Sequence, residues 1–240
     1  MKKILLYFML AFAFGACTDD TLNDATLSFD LDFKWENQSF SLNQNYVHSV
    51  TGEELQFQTL KFYLSNVALE RTDGSWWEAS EQYFLIDAAS PNSIPEVKGI
   101  PAGTYKGIRF MIGVDSTRNV SGAQEGALSV SNEMFWNWNT GYIFMKAEGV
   151  ETSAGSFSYH LGGFTGLNAA NPMVVFSFGQ AYLDMSPNQA ATSHFMIDMA
   201  ALWNQGLTVS QTGSIHMPGV KAKSAMDAFA SGWRWDHNHP

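Results

Sequence analysis

Cysteine is almost absent from this chain. Cys17 is the single one among 240 residues, so neither an intramolecular disulfide nor a thiolate zinc site can be built. Charge is sparse too. Charged residues make up 15%, with 13 basic against 23 acidic and a formal charge of −10. A surface of that sign repels nucleic acid and anionic lipid headgroups, so neither is an expected partner. The longest apolar run, Ile4 to Ala16, has 13 residues, short of the ~20 that span a bilayer. Enzyme signatures are missing as well. There is no Gly-x-Ser-x-Gly elbow, no glycine-rich phosphate loop and no His-Glu-x-x-His pair. No βαβ alternation and no internal repeat is visible.

What stands at the N-terminus is a processing signal. Lys2 and Lys3 precede the apolar run, and Gly15-Ala16 place two small residues before Cys17. This is the pattern of a lipoprotein signal peptide over 1–16, with Cys17 as the lipidation point. An acidic, polar tether follows over 17–26, and a single domain over 27–240. Removal of Lys2 and Lys3 leaves 11 basic residues against the 23 acidic ones, a formal −12. Attachment to a membrane would therefore rest on acyl chains rather than on basic patches. The expectation is an exported, outer-membrane lipoprotein, periplasmic or cell-surface. Asp19-Asp20 resembles a surface-export signal.

The domain reads as many short strands. Leu27, Phe29, Leu31, Phe33 and Trp35 alternate with polar residues, which is the period of a strand with one buried face. Leu60, Phe62 and Leu64 alternate likewise, and the phase shifts at Val67 and Leu69, which predicts a bulge near Ser65-Asn66. Asp73-Gly74 is a hairpin turn signal. Further strands are expected over 83–86, 108–114, 142–145, 156–161, 173–178 and 194–199, with a loop over 88–101. Ala222, Ala225, Met226 and Phe229 have helical spacing, ended by Gly232. The fold class is all-β: an antiparallel β-sandwich or barrel with one short C-terminal helix.

Aromatics are plentiful at 14%. They crowd the stretch MFWNWNTGYIFMKAEG at 134–149, which carries Trp136 and Trp138 and reads as core or as the wall of a site. Six histidines are available: His48, His160, His194, His216, His237 and His239. Imidazole suits copper, zinc and nickel. His237 and His239 are two apart, so an extended segment would point them the same way. His160 and His216 each lie next to glycine-containing turns. His48 and His194 read as structural or surface residues. Asp115, Asn119 and Glu125 share one loop and could offer oxygen ligands to calcium.

Taken together, FYLSNVAL at 62–69, GTYKGIRFMIGVDSTRNVSGAQEGAL at 103–128, the tryptophan stretch at 134–149, YHLGGF at 159–164, IHMPG at 215–219 and the closing Asp-His-x-His at 236–239 resemble the MbnP-like family. The likeness runs over most of the mature chain. It implies an exported copper-binding protein paired with an MbnH-type dihaem cytochrome c peroxidase-like partner. It further implies that a tryptophan is oxidised to kynurenine, with copper held by histidines and the modified residue. Carried over position by position, it nominates His160, His216, His237 and His239 as ligands and Trp136, Trp138 and Trp235 as candidates for oxidation. Two departures stand out. Four cysteines found in some members are missing here, and Trp235 lies two residues before His237, as in related copper proteins.

The expected function is thus a copper-binding lipoprotein for uptake or handling, not an enzyme. The rival from another class is a metal-free β-sandwich module that recruits a protein or glycan through exposed aromatics.

Overall fold

The computed structural model describes residues 24–90, 94–122, 124–136 and 141–240. The signal stretch, Cys17 and Trp138 lie outside the described residues. In chain order the first strands are β1 (Ala25–Trp35), β2 (Gln38–Ser39), β3 (Asn45–Val47), β4 (Glu54–Arg71), β5 (Trp76–Glu78) and β6 (Tyr83–Asp87). Next come β7 (Glu96–Ile100), β8 (Gly103–Ile112) and a one-turn helix α1 (Ser116–Val120). The second half carries β9 (Met145–Glu151), β10 (Gly155–Leu161), β11 (Met173–Ser177), β12 (Leu183–Met185) and β13 (Ala190–Asp198). It closes with β14 (Ser214–Ile215), the helix α2 (Val220–Ser231) and β15 (Trp233–His239).

These strands form two sheets. The smaller has five strands, ordered β15-β13-β1-β2 with β7 also on β1. The larger has ten, running β11-β8-β4-β9-β10-β14, with β12 on β8 and β3, β5 and β6 on β4. Both are mixed rather than purely antiparallel, because β1 pairs β13 and β10 pairs β14 in parallel. The all-β expectation with one late helix holds, and these two parallel pairs are the refinement.

The inner faces meet through rings. Phe29 and Phe195 of the small sheet pack on Phe110 of the large one, with centroids 5.5 and 5.4 Å apart. Trp35 reaches Phe57 at 6.0 Å and Trp203 at 6.1 Å. Such tilted and edge-on contacts add to the area that these side chains bury. α2 turns Ala222, Ala225, Met226 and Phe229 inward. Phe229 sits on Phe62 at 5.3 Å, and the chain then enters β15.

β4 is 18 residues long and bends where the sequence predicts. Its register shifts between Ser65 and Ala68, and Asn66 takes a φ of 51°, a left-handed conformation that asparagine tolerates. Two expectations are corrected. The strand near the tryptophans begins at Met145, not Tyr142, because Tyr142 makes only an isolated bridge to Phe135. The loop expected over 88–101 contains β7, whose Val97 and Ile100 are buried on β1. The C-terminal segment is a strand paired with β13, so His237 and His239 do lie on an extended backbone.

Candidate metal centre

β13 lies between β1 and β15, and the register there decides the site. Asp30 of β1 stands opposite His194, and His194 stands opposite His237. Adjacent strands are ~4.8 Å apart, so side chains on one face of such a row meet. Phe195 and Ile197 take the inner face of β13, which leaves His194 on the outer face. One turn of the pleat away, His239 pairs Thr192.

The three rings converge. His194 and His237 stack with centroids 4.2 Å apart and planes 8° apart. His239 lies 4.8 Å from His194. One ligand nitrogen from each of the three falls within 4.8 Å of the others. The other nitrogens are occupied. His194 Nδ1 faces Asp30 Oδ2 at 2.9 Å, His237 Nδ1 faces Asp236 Oδ2 at 2.8 Å, and His239 Nδ1 faces Pro240 O at 2.9 Å. We assign the ring protons from these acceptors. Each neutral ring then carries its proton on Nδ1 and a lone pair on Nε2. His194 Nε2 and His239 Nε2 are 2.7 Å apart. Two lone pairs at that separation repel unless a proton or a metal ion lies between them. Carboxylates bonded to the far nitrogen of a histidine are how proteins orient such ligands. The donor set therefore fits a metal that accepts imidazole, copper included.

The four expected ligands do not share this centre. His237 and His239 belong to it, and His194, expected to be structural or surface, is its third member. His160 and His216 sit together on the other sheet, their rings 4.6 Å apart. No local pattern marks His194 as a ligand. It is one more outward residue on an alternating strand until β15 pairs beside it.

Trp235 is separated from the histidines by a bulge. His194 pairs His237, but Phe195 pairs Trp235, so Asp236 is the extra residue. A one-residue insertion swaps faces. Trp235 turns onto Phe178 at 5.0 Å, and its Nε1 donates to Asn238 Oδ1 at 3.1 Å. Trp136 is 4% exposed, set in the core. A Cβ at Gly162 would come within 2.7 Å of its ring, which explains glycine in the YHLGG segment. His48 is buried and held by Thr51 Oγ1 at 3.0 Å and Asn204 Oδ1 at 3.2 Å.

The calcium expectation fails on hydrogen bonding. The Asn119 carbonyl accepts the Tyr142 N–H at 2.8 Å, and its amide donates to Val114 and Asp115 backbone oxygens. Asp115 caps α1 through Arg118 N and bonds the Tyr83 hydroxyl. These groups hold the loop together, and nothing among the described residues supports calcium there.

The family model described as MbnP matches residues 24–218. The chain belongs to the MbnP family. A solved structure, MbnP from Methylosinus trichosporium, is 15% identical and superimposes with a TM-score of 0.56. The match covers 82% of this chain and 83% of that one, and it bears on the fold. No curated protein matches.

Proposed function

We propose that this MbnP-family protein binds copper through Nε2 of His194, His237 and His239, as an exported lipoprotein serving copper uptake or handling. The observation that carries the reading is one ring nitrogen from each of the three histidines within 4.8 Å of the others, with His194 Nε2 and His239 Nε2 2.7 Å apart, while each Nδ1 is tied to an oxygen. Copper bound there would replace a repulsive contact with three coordinate bonds. The acids beside the rings are engaged in orienting them, so the centre is built to hold an ion rather than to turn over a substrate. The metal-free alternative draws less support, since the aromatics among the described residues are mostly interior or half-buried. Tyr182 is the aromatic among the large apolar side chains that are well exposed, within the described residues.

An MbnH-type dihaem partner belongs to the same proposal. Trp235 is the candidate for oxidation closest along the chain to the triad, although it occupies the other face of β15. The test is copper titration against a competing chelator. His194→Ala should lower affinity as much as His237→Ala or His239→Ala, whereas His160→Ala should not. Unchanged binding in His194→Ala would sink the reading. Intact mass of protein made with its haem partner would detect tryptophan-to-kynurenine conversion.

A further inference from the structure

The outer face of the large sheet carries a second group of donors. β10 pairs β9 on one side and β14 on the other. Ser158 is opposite Glu148 and opposite Ser214, while His160 is opposite Lys146. The parallel register carried two residues past Ser214 sets His216 beside His160, and their rings stack at 4.6 Å.

Three ligand atoms surround the Ser158 hydroxyl. His216 Nε2 lies 2.9 Å from it, His160 Nε2 3.4 Å and Glu148 Oε1 3.3 Å. Glu148 Oε1 also accepts from His160 Nε2 at 2.8 Å. His216 then lines a cavity of about 690 Å³ with Met217, Pro218 and Val220.

We infer that Glu148, His160 and His216 form a second metal site, separate from the histidine triad, for a borderline divalent cation of the zinc class. Two imidazoles and one carboxylate are a recognised zinc ligand set with a fourth position left open. Two imidazoles with a carboxylate oxygen suit Zn²⁺ and suit soft Cu⁺ less. The open position would face the cavity beside His216, where water completes the shell.

Binding asks for small changes. Metal bonds of ~2.0–2.2 Å require each donor to close in by about 1 Å, and rotation of Ser158 about χ1 clears the centre. The ion takes the place of the Nε2 proton between His160 and Glu148, so neutral His160 changes tautomer on binding, its single ring proton passing through solvent to Nδ1. Lys146 is the cation facing this group. Its ammonium is directed to Glu133 Oε2, 3.9 Å away. Burial favours the neutral, ligating form of His160, and the hydrogen bond from His160 with the charge of Lys146 keeps Glu148 anionic against its own burial.

The experiment is equilibrium dialysis with zinc chloride on the full chain carrying Cys17→Ser, so that no thiol competes. The parent should bind two zinc ions. A His194→Ala/His237→Ala/His239→Ala variant should keep one. Adding His216→Gln, at an exposed position that leaves folding intact, should weaken that ion by more than the roughly 10–100-fold that outer-shell changes cost. Glu148→Gln should weaken it too, and a melting curve on each variant confirms the fold. Cobalt in the triad variant should give the visible bands of a four-coordinate site. Zinc binding by the triad variant that is absent, or that His216→Gln leaves untouched, overturns the proposal and leaves the copper reading standing. Loss of copper binding alone would do the reverse.

Discussion

Asp30 and Asp236 do at the residue scale what the histidines cannot do alone. Each accepts from an Nδ1–H and so leaves Nε2 free to act as a ligand. An asparagine at position 30 would still accept that bond but would lose the charge that raises ligand basicity. Asp30→Asn should therefore weaken copper binding by roughly 10–100-fold, read by chelator competition. A second residue-scale effect concerns acid. Burial lowers the His160 pKa from its ordinary 6.5, and Glu148 only partly opposes this. The unfolded chain then takes up a proton that the folded ring refuses, so stability falls as pH drops below about 6.5 toward the lowered value. Glu148, held below its ordinary 4.5 chiefly by His160 and Lys146 against its burial, extends the loss at lower pH. Urea midpoints at about pH 7.5 and about pH 5.5 should differ less in His160→Gln than in the parent. An equal difference would assign the acid sensitivity to other groups.

Among the elements, β15 carries two tasks on its two faces. Its inner face holds Trp233, 4% exposed, against Phe62 at 5.8 Å and Phe110 at 5.2 Å. Its outer face holds two of the three proposed ligands. A chain ending at Gly232 loses both. Loss of a buried tryptophan alone costs roughly 3–5 kcal/mol, a large share of the 5–15 kcal/mol that holds a typical domain. Such a truncation should melt far lower or aggregate, while the double variant His237→Ala/His239→Ala should keep nearly the parent melting temperature and lose copper. A truncated chain with an unchanged melting curve would show that β15 is dispensable for the fold.

At the scale of the whole molecule, two sheets keep two donor groups apart, one on each sheet's outer face, with an aromatic core between them. The formal charge of −10 disfavours an anionic membrane surface, so the proposed attachment would depend on Cys17. Cys17→Ala should move the protein from the membrane fraction to the soluble fraction. Persistence with the membrane would call for another anchor.

Much of this was legible in the sequence, because it is local. Alternation in β1, the phase shift at Asn66, the spacing of Ala222 to Phe229 and the crowding of rings around Trp136 each follow from neighbours a few residues apart. The histidines that make up the triad are not local in that sense. Asp30 meets His194, and His194 meets His237, only because β1 and β15 pair on opposite edges of β13, and pairing between distant strands leaves no periodic mark on any of them. Nor does periodicity show that Asp236 is a bulge, although that one residue turns Trp235 toward the core and His237 toward solvent. Sequence alone thus determined which side chains were available as ligands, since donor chemistry belongs to the residue. Only tertiary structure decided which of them stand together, since a site is a matter of register between strands.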